Sequence, residues 1–220
     1  MKKIYYFLHW FANGLVIGGV IILLLSFWPT VSSEIRYRLL LLKNPSLKVS
    51  SGEDTESRFA DLAKEPTPLR VSPVSKDFGI VIESIDVNAP VVADVSVSDP
   101  TVYKPALRNG VAHAKGTAKP GDIGNIFLFA HSSLNFWQLG KYATVFNLLR
   151  KLKEGERVVL FYNGERYDYF VQERYVVPGW DISPLVEKVS EGAMLTLQTC
   201  HPPGTTANRL IVRALPSSSF

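Results

Sequence analysis

Apolar and polar positions divide this chain into three unlike stretches. From Ile4 to Trp28 it reads IYYFLHWFANGLVIGGVIILLLSFW, 25 residues without a formal charge. As a helix rising about 1.5 Å per residue, that run is roughly 37 Å long, enough to cross a hydrocarbon core of ~30 Å with some tilt. Tyr5, Tyr6 and Trp10 at one end and Trp28 at the other suit two membrane interfaces, and Pro29 predicts the end of the helix. A cleaved signal peptide is the rival reading. Its apolar core would be ~7–15 residues before a small-residue cleavage site, whereas this run is longer and ends in SFWPT. The pattern therefore predicts a short tip over 1–3 and a transmembrane helix over 4–28.

Residues 29–76 predict a juxtamembrane segment and a flexible stalk. EIRYRLLLL (34–42) suits a short interfacial helix, its leucines toward lipid and its arginines toward headgroups. The stretch after it is polar, carries three prolines over SLKVSSGEDTESRFADLAKEPTPLRVSPVS and keeps no sustained period.

From residue 77 the pattern changes to short β-type runs between turn residues. FGIVIESIDV, PVVADV, NIFLFAH, ERVVLFY, RYDYFVQERYVV, AMLTLQT and RLIVRAL are each rich in β-branched or aromatic residues. Asn163-Gly164 between two of them is a two-residue hairpin signal. Helix signals are few: VYKPALRNG is short, and KYATVFNLLRKLKEG (141–155) is the better candidate. Basic residues near its C-terminus and Gly155 as its cap suit a helix end. Seven or eight strands with one or two short helices predict a mainly β domain over 77–220. A closed or nearly closed β-barrel is the first reading and a β-sandwich the alternative.

Charge sharpens this division. The net +4 is carried by residues 1–76, with 10 basic and 6 acidic side chains, while residues 77–220 hold 14 of each. A neutral domain argues against nucleic acid as a partner. The surplus cations instead flank the apolar stretch, as beside a membrane. Lys2 and Lys3 favour a cytoplasmic N-terminus, although Arg36, Arg38 and Lys43 follow closely on the other side.

Cys200 is the only cysteine, so neither an intramolecular disulfide nor a multi-cysteine zinc site can form. No metal or other cofactor is implied by the four histidines, none of which has close ligand spacing. Cys200 stands where the run AMLTLQT stops and HPPGTTAN begins. There it is either a small buried hydrophobe or an exposed nucleophile. A thiol nucleophile needs a base or imidazolium beside it. His9 lies in the apolar stretch, and His201 points away from Cys200 if the chain is extended. His131, closing NIFLFA, is the first choice; His113, in a glycine-rich loop, is the second, with an ordinary loop residue as its plain alternative. If the strands before and after HPPGTTAN pair antiparallel, Arg209 stands beside Cys200. Arg213 would then lie roughly 13 Å farther along the strand.

TLQTC at 196–200, a histidine closing an apolar strand in NIFLFAHSS, and an arginine opening the strand after the cysteine together resemble the sortases. GVAHAKGTAKPGDIGNIFLFAHSS is similar to the family's glycine-rich run before the strand of the catalytic histidine. The resemblance covers about residues 77–215 and implies an eight-stranded β-barrel. It implies Cys200 as nucleophile, His131 as general acid/base and Arg209 as the group that holds substrate and oxyanion. His113 and Thr199 would be supporting or substrate-binding residues. One departure is Ser132, where many members carry Arg or Thr. The resemblance further implies a membrane-anchored cysteine transpeptidase with an extracellular catalytic domain and three kinds of partner. These are surface proteins bearing a C-terminal sorting signal, an amine acceptor on the cell envelope or a pilin, and membrane lipid. A cysteine peptidase that only hydrolyses, and a non-catalytic binding domain, are the alternatives.

Overall fold

The alternating runs close into a barrel. The structure, a computed structural model, describes residues 2–43, 68–132, 142 and 144–217. Among these residues eight strands form: β1 Phe78–Ile82, β2 Val87–Val95, β3 Val111–Ala114, β4 Gly124–Phe129, β5 Arg157–Tyr162, β6 Glu165–Pro178, β7 Ala193–His201 and β8 Asn208–Pro216. Their order is β1-β2-β3-β4-β7-β8-β6-β5, and the antiparallel pairing of β1 with β5 closes the ring. The pairs β2–β3 and β4–β7 are parallel. Inward side chains such as Ile80, Ile82, Leu128, Leu160, Leu197 and Val212 fill the interior and are fully buried, which removes both the sheet edges and the sandwich alternative.

Several boundaries differ from the sequence expectation. FGIVIESIDV is interrupted by the 3-10 turn Glu83–Ile85, where Asp86 takes a left-handed φ of 56°, so β1 folds back on β2. β3 was hidden in the glycine-rich stretch, because VAHA is four residues long and mostly small. Asn163 and Gly164 join β5 to β6 with φ of 51° and 85°, as a tight hairpin requires. The described part of 141–155 is not an α-helix but a series of turns leading into the 3-10 helix Leu149–Lys151. Phe146, Leu149 and Leu152 recur every three residues and are all buried, a spacing that fits three residues per turn better than 3.6. Residues 141 and 143 lie outside the described residues.

Helix α1 spans Lys2–Lys43. Pro29 therefore does not end it. A proline removes one N–H bond from the ladder, and the turns on either side keep theirs. Past Pro29, α1 is also held from outside. Glu34 pairs with Arg150 and Lys151, each at 3.0 Å, and Tyr37 packs against the barrel core. The segment 34–42 is thus helical as expected, but these two side chains meet protein. Most of the expected stalk, 44–67, lies outside the described residues.

Among the described residues, no helix is long and apolar enough to cross a membrane. The span expected over 4–28 is therefore not shown by the structure, although α1 includes it. From 9 to 25 every side chain position is described, and none is buried.

Helix α2, Pro100–Asn109, is longer than VYKPALRNG suggested. Asp99 caps it by accepting the Thr101 N–H at 2.9 Å, and Pro100 occupies the first turn, where no N–H is needed. The single turn α3, Ser183–Val186, lies in the connection from β6 to β7.

Candidate active site

Three adjacent strands, β4, β7 and β8, build the site. Leu195 and Leu197 on β7 and Leu210, Val212 and Ala214 on β8 point into the core. Side chains alternate along a strand, so Cys200, Arg209 and Arg213 lie on the outer face. On β4, Ile126 and Leu128 point inward, which gives the outer face to Phe127 and, two alternations on, to His131.

Register then brings the candidates together. Cys200 pairs directly with Arg209 across β7–β8, and Thr196 pairs with Arg213. Directly opposed residues have Cα atoms about 4.5–5.5 Å apart, so the antiparallel arrangement anticipated from HPPGTTAN holds. On the other side, β4 and β7 run parallel up to Phe129↔Gln198. The ladder continues beyond β4, because the Ala130 N–H donates to the Gln198 carbonyl at 3.1 Å. Two more residues along this register bring His131 level with Cys200. All three candidates thus share one outer face at one rim of the barrel, and Cys200, His131 and Arg209 are each half-buried.

Five hydrogen bonds fix the chain around them. Thr199 is buried and its hydroxyl donates to the Ala130 carbonyl at 2.9 Å, holding the residue before His131. The Ser132 hydroxyl donates to the Cys200 carbonyl at 2.7 Å, and the Gly204 N–H donates to the Ser132 carbonyl at 2.7 Å. The Arg209 guanidinium donates to the carbonyls of Thr206 at 3.0 Å and Asn208 at 3.1 Å. Thr199 therefore has a positional role, and Ser132, noted in the sequence only as a departure, is the second tie between the histidine and cysteine strands.

Below the rim a buried polar chain continues the same face. The Thr196 hydroxyl donates to Asn125 Oδ1 at 2.8 Å, and Asn125 Nδ2 donates to the Pro184 carbonyl at 2.9 Å. This secures the β6–β7 connection against the two strands that carry Cys200 and His131. Arg213 secures it again through Glu187, and also pairs with Glu173 at 2.9 Å and stacks over Tyr175 at 5.0 Å. Thr196 and Asn125 lie in the two motifs that carry the resemblance, but their partnership with each other has no local signal, since it joins residues 71 positions apart.

Burial, and secondarily the Lys104 ammonium, hold the His131 imidazole below the ordinary histidine range. Lys104 lies on α2, so this helix sets part of the electrostatics at the rim. The neutral ring is the favoured form when the site is empty, which suits a base and makes the imidazolium a minority species.

His113 belongs to a different cluster. It is fully buried on β3; its Nδ1 accepts the Asp94 N–H at 3.2 Å, and its Nε2 lies 3.0 Å from both the Ala118 carbonyl and the Thr117 hydroxyl. The Thr117 hydroxyl itself donates to Ala114 at 2.8 Å, so the ring is the neutral tautomer with the proton on Nε2. Burial lowers its proton affinity, more than the Asp94 carboxylate raises it. These contacts bind the glycine-rich loop to β2 and β3. Among the described residues, no group of three or more His, Cys, Asp or Glu side chains could hold a metal ion.

The architecture and site define a closed β-barrel protein with a cysteine, a histidine and an arginine on neighbouring strands of one outer face. The sequence profile of the Sortase domain matches residues 80–217, and the chain belongs to the sortase family. Similar solved structures include sortase A of Listeria monocytogenes, with 22% identity and a TM-score of 0.51 over 63% of this chain and 85% of that one. A lid mutant of sortase A from Corynebacterium diphtheriae shows 24% identity and a TM-score of 0.52 over 86% and 94%. A pilus-related sortase C of Group B Streptococcus shows 25% identity and a TM-score of 0.52 over 84% and 89%. These likenesses bear out the eight-stranded barrel. No curated protein matches the chain.

Proposed function

We propose that this protein is a cysteine transpeptidase that cleaves an LPxTG-like sorting signal and transfers the acyl part to an amine. The amine belongs to the cell envelope or to another surface protein such as a pilin. Cys200 is the nucleophile, His131 the general acid/base and Arg209 the group that stabilises the oxyanion. The observation that carries the reading is the direct pairing of Cys200 with Arg209, with His131 in register on the other neighbouring strand.

The reaction runs in two balanced halves. The Cys200 thiolate attacks the carbonyl of the scissile Thr–Gly-type bond, and negative charge collects on the carbonyl oxygen beside the Arg209 guanidinium. The C–N bond breaks as the His131 imidazolium gives its proton to the departing amine, leaving a thioester on Cys200. An incoming amine attacks the thioester, His131 removes its proton, and the amide forms as the Cys200 thiolate departs.

The proposed setting is a membrane anchor over 4–28, with the N-terminus cytoplasmic and the catalytic domain outside the cell. This part rests on the 25 uncharged residues and on the exposure of Trp10, Phe11, Leu15, Ile22 and Leu24 on α1. An apolar helix exposed on every face needs an apolar medium or a partner.

The test is a peptide library with an added amine, read by product mass. An amide product formed only when amine is present supports the transpeptidase. Acid product alone, unchanged by amine, supports a peptidase and sinks the transfer step. No product at all from any peptide would leave only the binding-domain alternative.

A further inference from the structure

The C-terminal part of α1 is fastened to the rim of the barrel that carries Cys200. Strand directions set the end of β1, the start of β5, the ends of β4 and β7 and the start of β8 toward one rim. Val81 faces Val159, Ile82 faces Val87, β2 runs parallel to β3, Ala112 faces Phe129, β4 runs parallel to β7, and Cys200 faces Arg209. The 3-10 turn Glu83–Ile85 leaves β1 at that rim, and the 3-10 helix Leu149–Lys151 precedes β5 there. Helix α1 meets both. Glu34 bridges Arg150 and Lys151, Arg36 approaches Asp86 at 3.9 Å, and Tyr37 packs on the core beneath the Lys151 ammonium, 5.5 Å from its ring centre.

This is a fixed attachment and not a loose tether. One carboxylate held at 3.0 Å by both Arg150 and Lys151 of the barrel, and at 3.8 Å by Arg38 of its own helix, beside an aromatic ring packed on the core, restrains both position and rotation of the helix. Glu34 and its two barrel partners are each about one-quarter to one-third exposed, so solvent screens them less than it would a fully exposed pair.

Trp28 precedes Glu34 on the same helix by six residues, about 9 Å along the axis. The headgroup region on each side of a bilayer is about 5–8 Å deep. With Trp28 at the edge of the hydrocarbon, Glu34 lies at the outer margin of the headgroups. Arg36 and Arg38, with side chains 63% and 75% exposed, then stand where anionic lipid would attract them.

We infer that α1 holds the rim carrying Cys200, His131 and Arg209 toward the membrane, and that the partner of this rim is an anionic phospholipid surface. The inference rests on the membrane anchor of the proposed function and adds to it a fixed orientation of the barrel. Substrate then reaches Cys200 along the membrane surface and not from any direction in bulk solvent.

The test uses the full chain in vesicles of phosphatidylcholine and phosphatidylglycerol. In a Cys200→Ala background a single fluorophore is placed at Glu154→Cys, exposed beside the start of β5, or at Glu165→Cys, exposed at the opposite end of the hairpin. Collisional quenching by headgroup spin-labelled lipid is expected to be several-fold stronger at position 154. Glu34→Lys should level the two positions, and adding Arg150→Glu and Lys151→Glu should restore the difference. Vesicle-bound protein quenched equally at both positions overturns the orientation and leaves the anchor standing. A difference that survives Glu34→Lys overturns the role given to α1. Protein that does not float with vesicles overturns the anchor, and the orientation with it.

Discussion

Cys200 on β7 and Arg209 on β8 oppose each other directly, with both side chains on the outer face of the barrel, whereas Arg213 is opposed to Thr196. Register, and not proximity in sequence, therefore selects which arginine can meet charge developing at a carbonyl bound to Cys200. Arg209→Ala is expected to lower kcat by about 10²–10³, the usual cost of one lost oxyanion donor. Arg209→Lys should recover little, since an ammonium does not reproduce the guanidinium fork. Arg213→Ala should cost less in kcat, because its partners are Glu173, Glu187 and Tyr175. Steady-state kinetics of the three variants checks the order, and a worse Arg213→Ala contradicts it.

The proton affinity of His131 gives a prediction with a definite sign. Thiolate and imidazolium must coexist, so kcat/KM should be bell-shaped in pH, its acid limb below the ordinary histidine value of about 6.5. Lys104 is the second cause of the depression. Lys104→Gln removes a nearby cation, favours the imidazolium, and should move the acid limb to higher pH while raising the maximum. A pH profile of kcat/KM for the two proteins checks this; movement of the limb to lower pH contradicts it.

His113 predicts an acid-sensitive fold. Its folded-state affinity for a proton is lowered, so the unfolded chain binds the proton more readily. The stability it contributes is complete above about pH 6.5 and declines as pH falls below that, by up to about 1.4 kcal/mol per pH unit until the folded-state value is reached. His131 adds to this with the same sign. Urea unfolding at several pH values should therefore show a smaller acid loss for His113→Gln than for the natural chain. The substitution should also cost about 1–3 kcal/mol at neutral pH, because it leaves the part-buried Asp94 N–H or Ala118 carbonyl poorly paired. An unchanged acid slope contradicts the buried neutral ring.

Ser132 and Thr199 tie the histidine and cysteine strands together. Ser132→Ala and Thr199→Val should each lower stability by about 1 kcal/mol, the net value of one hydrogen bond. Each should also reduce kcat more than it changes KM, since the bonds set the relative placement of reacting groups. Kinetics alongside thermal unfolding separates the two effects, and loss of stability with full kcat contradicts the positional role.

What the sequence made legible follows from how local each signal is. The barrel strands announce themselves through β-branched and aromatic alternation, and Asn163-Gly164 specifies its hairpin within two residues. Cys200, His131 and Arg209 are legible because each marks the end or start of an apolar run. β3 is not, because VAHA is only four residues long and mostly small, with no alternation strong enough to see. His113 reads as a loop residue because its burial comes from Asp94 and Phe78, distant in sequence. The continuation of α1 past Pro29 is similarly tertiary, depending on Arg150 and Lys151 more than a hundred positions away. The effect of Lys104 on His131 and the Asn125–Thr196 pair belong to the same class: each exists only once strands far apart in sequence become neighbours.

The most direct measurement is mass spectrometry of the intact full chain mixed with an LPxTG-like peptide, before and after addition of an amine. A thioester-linked acyl adduct is expected, which peptide mapping assigns to Cys200 and hydroxylamine removes. It should be absent from Cys200→Ala and should be discharged to an amide by the amine. An adduct that persists in Cys200→Ala, or amide product formed by that variant, contradicts the account.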